Sequence, residues 1–301
     1  MVGDINRLRP HVKTHKCAEV AAMMIDAGIY KFKCATIAEA EMLGMVNAKD
    51  VLLAYQPIGP KLKRFIQLIK KYPATQYSCL TDNLLSAAEQ SDAFNAAGLK
   101  VPVYIDLNVG MNRTGITPGD KALELYKYCS SAPGLEIKGL HAYDGHIRNA
   151  NFDEKKKEVD QTFLKAEILV EKIKANNLPA PVIIAGGSPS FSVHCKRPGV
   201  ECSPGTFIYW DKGYSIICPE QEFIPAAILI TRVVSLPDKE KICTDLGHKS
   251  VAAENEITKR IFFPDFDFLT AVGQSEEHLV LENKTDHIFK QGDILYGIPY
   301  H

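Results

Sequence analysis

The apolar positions of this chain change period repeatedly along its length. Leu8, Pro10 and Val12 alternate with Arg9, His11 and Lys13, which is the period of a strand. Ala18, Val20, Ala21, Met24 and Ile25 then recur at helical spacing, and Gly28 follows as a stop. The exchange repeats downstream. Residues 31–35, 50–54, 76–80, 101–109, 135–143 and 181–185 read as strands, and 17–27, 37–46, 61–71, 83–96, 121–131 and 153–175 as the helices between them. Residues 200–209 form a weaker eighth strand, broken by Pro204 and Gly205. Strands alternating with helices over about 210 residues predict a closed (β/α)8 barrel. Apolar runs such as Val51-Leu52-Leu53-Ala54 and Val182-Ile183-Ile184 suit a parallel sheet covered on both faces. The competing open, doubly wound sheet lacks a Gly-x-Gly-x-x-Gly turn after the first strand. Beyond about residue 212 the helical period disappears, and 224–235, 241–245, 278–281 and 293–298 read as strands parted by Pro, Gly, Asn and Asp. The expected fold class is therefore α/β: a (β/α)8 barrel over 1–212, followed by a smaller all-β domain over 213–301.

Composition narrows the function classes. A formal net charge of −1 leaves no global field to recruit nucleic acid or an acidic membrane. No apolar run approaches the roughly 20 residues that cross a bilayer, and the N-terminus lacks a charged-then-apolar signal pattern, so a cytoplasmic protein is expected. The eight cysteines are scattered, with no Cys-x-x-Cys pair, which suits free thiols in a reducing compartment.

Polar residues cluster where strands end, the edge at which α/β barrels bind ligands. Arg9-Pro10-His11-Val12-Lys13-Thr14-His15-Lys16 places Lys13 at the end of the first strand, although such a basic run also suits a solvated loop. Asp106-Leu107-Asn108-Val109-Gly110-Met111-Asn112-Arg113-Thr114-Gly115 follows the fifth strand; Arg113 is a fixed cation for a phenolate or carboxylate, or half of a turn's salt bridge. The sixth strand ends in His141-Ala142-Tyr143-Asp144-Gly145-His146, with His141 and Tyr143 on one side of the strand. Ala185-Gly186-Gly187-Ser188-Pro189-Ser190-Phe191 ends the seventh strand. Its small residues let backbone N–H groups approach a phosphate, though Gly-Gly-Ser-Pro is also an ordinary turn. Cys202-Ser203-Pro204-Gly205-Thr206 supplies the matching loop of the eighth.

In order, and over the whole chain, these stretches resemble the fold type III, alanine racemase-like pyridoxal phosphate enzymes. Within that group the octapeptide around Lys13, the Arg113 loop, Tyr143-Asp144-Gly145-His146, Gly186-Gly187-Ser188-Pro189-Ser190, Ser275-Glu276-Glu277-His278 and the closing stretch from Gly292 to His301 look like the D-threonine aldolase and D-serine dehydratase branch. The resemblance implies that Lys13 carries pyridoxal phosphate as a Schiff base, with His11 in the same signature. Arg113 would approach the ring oxygen and His141 would flank the ring. Gly187, Ser188 and Gly205 would hold the phosphate. Tyr143 and His146 are the implied acid–base residues. His301 would be the first ligand of a divalent metal, zinc or manganese, at the substrate's β-hydroxyl. A small D-amino acid substrate and a homodimer are also implied.

The chain departs from the branch at both ends, since seven residues precede Leu8 and His301 is the last residue. The resemblance therefore implies a chain clipped at both ends, with an incomplete β domain and metal site. The expected reaction is metal-assisted cleavage of a 3-hydroxy D-amino acid to glycine and an aldehyde. Alternatives are D-serine-type dehydration to a keto acid and ammonia, a catalytically silent pyridoxal phosphate carrier, and an inactive fragment that still folds. The β-rich C-terminal region argues against the carrier, and the octapeptide with His301 argues against racemisation.

Overall fold

Seven parallel strands follow one another in chain order through the first part of the computed structural model, which describes residues 1–301. They are β1 (Lys31–Cys34), β2 (Asp50–Leu53), β3 (Gln76–Thr81), β4 (Val101–Leu107), β5 (Leu135–Ala142), β6 (Val182–Ala185) and β7 (Val200–Cys202). Each pairs with the next in parallel. Such connections need crossovers, supplied by α1 (Ala18–Asp26), α2 (Ile37–Met45), α3 (Pro60–Lys71), α4 (Leu84–Ala96), α5 (Asp120–Ser131) and α6 (Phe152–Ala175). Local chemistry starts several of them: Thr36 accepts from the Glu39 N–H, Asn83 from Ser86, and Asn151 from Asp153 and Glu154. A short α7 (Phe191–His194) precedes β7.

The segment around Arg9 and Pro10 closes the barrel. Leu8 bridges Cys202 of β7 and His11 bridges Lys33 of β1, both in parallel. The Arg9 N–H donates to the Cys202 carbonyl at 2.8 Å, and the Lys33 N–H donates to the Pro10 carbonyl at 2.8 Å. This is the expected first stave, but not a regular strand, because Pro10 has no N–H to give the ladder. The chain then tightens into a 3-10 turn, Val12–Thr14, so Lys13 sits on a turn rather than a strand end. The expected strand over 200–209 is likewise shorter. It stops at Cys202, where Pro204 and Gly205 interrupt it before a 3-10 turn at Thr206–Ile208.

Alternate strand residues fill the barrel. Leu52, Leu80, Tyr104 and Ile184 form one buried cluster. Arg9, 1% exposed, lies toward the strands' starting ends, where it pairs with Asp50 at 2.7 Å and Glu201 at 2.8 Å. Lys31 also reaches Glu201. A buried guanidinium requires such partners.

Two compact units result, Met1–Gly205 and Thr206–His301. The second contains α8 (Lys212–Ile217) and a six-stranded antiparallel sheet, with strands β8 (Leu229–Asp238), β9 (Lys241–Thr244), β10 (Ile261–Phe262), β11 (Thr270–Gln274), β12 (Leu279–Glu282) and β13 (Ile294–Pro299). Their order is β10-β13-β8-β9-β12-β11. Val233, Ile242, Leu279, Leu281 and Leu295 build its core. All eight cysteines are free thiols. No helix is long and apolar enough to cross a membrane.

Candidate active site

Above the apolar layer, three strands each place one polar side chain into the barrel mouth. Asp106 of β4 accepts from His141 Nδ1 of β5 at 2.8 Å. Its other oxygen accepts from Thr114 Oγ1 at 2.8 Å and from Gln56 Nε2 at 3.1 Å. Burial acts to raise the Asp106 carboxyl, but the His141 hydrogen bond and then those of Thr114 and Gln56 outweigh it, so it is held below its ordinary value. An ionised Asp106 keeps the proton on Nδ1 and leaves Nε2 of His141 as an acceptor. That nitrogen faces Lys33 Nζ of β1 at 3.5 Å. Burial holds His141 below its ordinary value, with Asp106 opposing.

Lys33 is 2% exposed. Burial, followed by the nearby charge of Lys13, brings its pKa down to about 7, against the pull of Asp106. Its Nζ also lies 5.6 Å from the centre of the Tyr143 ring, so His141 and Tyr143 do share the inner side of this stave. Arg113 sits 5.2 Å from the same ring. Its loop is held at several points: the Gly115 N–H donates to Asp82 at 3.1 Å, and the Asn112 N–H to Asn108 Oδ1 at 3.1 Å. Gly115 has φ +97°, and a Cβ there would lie 2.6 Å from the Asn108 nitrogen, so the turn requires glycine. Burial raises the Tyr143 phenol despite Arg113, so it keeps its proton at neutral pH.

Small residues and hydroxyls line the other side of the mouth. The Gly205 N–H donates to Ser188 Oγ at 3.2 Å, and the Gly187 N–H to Ser190 Oγ at 3.3 Å. Ser190 in turn donates to Asp144 at 2.6 Å, and His194 Nε2 contacts the second Asp144 oxygen at 2.8 Å. Burial acts to raise the Asp144 carboxyl, but the His194 contact outweighs it and holds it low. The Ser203 hydroxyl is buried without a partner. A Cβ on Gly205 would lie 3.1 Å from both the His11 carbonyl and Thr14 Oγ1, so this loop lies against the turn that carries Lys13. The Lys13 N–H donates to His11 Nδ1 at 3.2 Å. His11 is held well below its ordinary value by burial, then by the charges of Lys33 and Lys13.

Residues 1–212 match the family model for the alanine racemase N-terminal domain, and residues 226–301 match a serine dehydratase domain model. The chain belongs to the alanine racemase-like family. Among curated relatives of this barrel, 3-hydroxy-D-aspartate aldolase of Paracoccus denitrificans is 26% identical over 98% of this chain and 78% of its own length. D-threo-3-hydroxyaspartate dehydratase of a Delftia species is 24% identical over 82% of the chain and 66% of its own length. The crystal structure of D-threonine aldolase from Filomicrobium marinum superposes with a TM-score of 0.91 at 25% identity, covering 100% of this chain and 82% of that one.

The family's cofactor, pyridoxal phosphate, fits the residues of this alanine racemase-like mouth. An amine-bearing turn stands beside two glycine loops, the buried Ser203 hydroxyl has a bond to offer a phosphate, and Arg113 projects toward the Tyr143 ring. Of the residues expected from sequence, the barrel unit groups His11, Lys13 and Gly205 along one loop contact, Ser188 bonded to Gly205, and His141, Tyr143 and Arg113 around Lys33. A Cβ on Gly187 would lie 2.9 Å from the Tyr143 ring, which puts that loop beside Tyr143. His146 is exposed, with its ring against Gly110, where a Cβ would meet Nε2 at 2.6 Å.

His301, in the second unit, pairs through Nδ1 with Asp211 at 2.8 Å and packs edge-on to Tyr214. Asp211 also caps α8, accepting from the Tyr214 N–H at 2.6 Å. No group of three or more His, Cys, Asp or Glu side chains is arranged to hold a metal ion. Sequence reasoning named Ser203 only as part of its loop, and missed Lys33, Gln56, Asp82 and His194. Lys33 carried one signal: it shares a face with Lys31 and alternates with apolar Phe32 and Cys34, as a polar position on the inner side of a strand does.

Proposed function

We propose that this chain is a pyridoxal phosphate-dependent lyase that cleaves 3-hydroxy D-amino acids to glycine and an aldehyde. The observation that carries the reading is the grouping of an amine-bearing turn, two glycine loops and the Arg113–Tyr143 pair at one barrel mouth, in a family whose matched relatives include a 3-hydroxy-D-aspartate aldolase and a D-threonine aldolase fold. When bound, pyridoxal phosphate supplies an electron sink for the bonds at the substrate's Cα.

The protein's own groups divide the remaining work. Lys13 is the amine proposed to carry the cofactor. Gly187, Ser188, Ser203 and Gly205 would bind its phosphate through N–H and hydroxyl donors. Arg113 would orient the ring oxygen, and His141 would lie against the ring, with its Nδ1 proton fixed by Asp106. Tyr143 holds a proton at Oη, which supports a role for it in proton exchange with the substrate. His146, at the rim, is the second proposed acid–base residue. Dehydration to a keto acid and ammonia is the second reading, favoured by the serine dehydratase domain match over residues 226–301. A divalent ion, with His301 as one ligand, and a homodimer are parts of the proposal that rest on the family resemblance.

Purified protein with pyridoxal phosphate, with and without manganese or zinc, tests the reaction on D-threonine. Glycine and acetaldehyde are expected; 2-oxobutanoate and ammonia would transfer the proposal to dehydration, and no turnover would refute both. Borohydride reduction followed by peptide mapping tests the amine. A label on Lys13 is expected, and a label on Lys33 would overturn that assignment.

A further inference from the structure

Lys33 stands out because the proposed chemistry leaves it without a role. It is an amine in the interior of the barrel, 2% exposed, in hydrogen-bond range of one partner, His141 Nε2 at 3.5 Å. A buried ammonium without a carboxylate contact is costly, and apolar side chains of similar length fill such positions freely. The charged and titratable groups around it are Lys13, Arg9, Asp106, Asp144, His11, His141 and Tyr143. The cations Lys13 and Arg9 oppose its protonation, whereas Asp106 and Asp144 favour it.

We propose that Lys33 is a positioning residue of this site, which locks His141 as a neutral ring. The geometry supports this from both sides of the imidazole. Asp106 accepts from Nδ1–H at 2.8 Å, and Lys33 donates to the bare Nε2 at 3.5 Å. Both ring nitrogens are then engaged in one tautomer. The lock acts while Lys33 is an ammonium, below its pKa of about 7, because an ammonium can only donate to Nε2. Protonation of Nε2 would then set an imidazolium N–H against the Lys33 ammonium, so the ring is kept out of proton transfer. His141 becomes a fixed, uncharged surface, and exchange of protons with substrate falls to Tyr143 and the rim. The inference deepens the proposed lyase reading, since it assigns the ring that would lie against the cofactor.

Nuclear magnetic resonance of ¹⁵N-labelled imidazoles in cofactor-free protein tests the lock without any turnover. His141 is assigned by loss of its signals in His141→Gln. In the wild type, His141 is expected as the Nδ1–H tautomer, titrating below the ordinary histidine range. In Lys33→Met, its pKa should rise by about one unit or more, because a like charge and a donor to Nε2 are both removed while Asp106 remains. In Lys33→Arg, which restores a donor and a charge, it should return toward the wild-type value. An unchanged His141 titration in Lys33→Met would refute the lock, and so would an Nε2–H tautomer in the wild type. The kinetic readout is separate. If the lyase reading holds, Lys33→Met should introduce a new acid limb in the pH profile of kcat near the raised His141 pKa, with KM little changed. Absence of turnover by the wild type would remove the lyase reading and leave the resonance result standing.

Discussion

Replacing Lys33 with methionine should stabilise the barrel, by an amount that depends on pH. The lysine titrates near 10.5 when solvated and at about 7 in the fold, chiefly through burial. Between those values the unfolded chain holds a proton that the folded chain has released, so stability rises with pH across the window. The contribution is most unfavourable below pH 7, falls away as pH climbs, and vanishes above the solvated value. At about 1.4 kcal/mol per pKa unit, the penalty is about 4–5 kcal/mol at pH 6.5 and about 1–2 kcal/mol at pH 9.5. Methionine is an unbranched side chain one heavy atom shorter that removes the ionisation, but it forfeits the bond to His141, worth about 1 kcal/mol. Urea unfolding followed by circular dichroism at both pH values measures the difference. The mutant's advantage should shrink by about 3 kcal/mol from pH 6.5 to pH 9.5. A difference between the two proteins that does not change with pH would refute the reasoning, because it would mean that Lys33 keeps its proton in the fold. That the natural chain tolerates such a penalty is what a functional site leads one to expect.

Other expectations follow from the same geometry. Asp106→Asn removes the charge that His141, Thr114 and Gln56 share, and should cost about 2–4 kcal/mol in urea unfolding. Gly115→Ala forces a Cβ to 2.6 Å from the Asn108 nitrogen at φ +97°; a loss of about 1–3 kcal/mol and weaker pyridoxal phosphate binding, read by absorbance titration, are expected from a displaced Arg113 loop. Asp211→Ala removes the cap of α8 and the partner of His301, and should lower stability by about 1 kcal/mol in the same assay. If a divalent ion takes part through His301, dialysis against a chelator should lower cleavage of D-threonine, and manganese should restore it; unchanged turnover would remove the ion from the proposal.

The closed barrel was legible in the sequence because each stave announces itself locally. Helical and strand periods alternate in step, and the resulting helices α2, α4 and α6 begin within a residue or so of where the pattern places them. Loop chemistry at strand ends was legible for the same reason, since glycine, proline and polar residues cluster where the apolar runs stop. The octapeptide was harder. Its alternation is that of a strand, yet Pro10 withholds a donor and the segment makes only bridges at Leu8 and His11 before turning. No property of Arg9 itself says that it would leave its basic neighbours and join Asp50 and Glu201, which are 41 and 192 residues away in the chain.

The sequence by itself determined the order and type of the elements, the side of β5 shared by His141 and Tyr143, and the glycine loops, because periodicity and backbone conformation are local properties. Only the tertiary structure decided which of the basic residues are buried and what they meet. Lys13, prominent in sequence, is exposed on a turn, while Lys33, one lysine among many, lies at the centre of the mouth. The difference arises because a parallel barrel brings β1, β4 and β5 together across its interior, so that Lys33, Asp106 and His141 share one low-dielectric layer. Burial and neighbouring charge, which set how each group ionises, are properties of that layer and of no single stretch of chain.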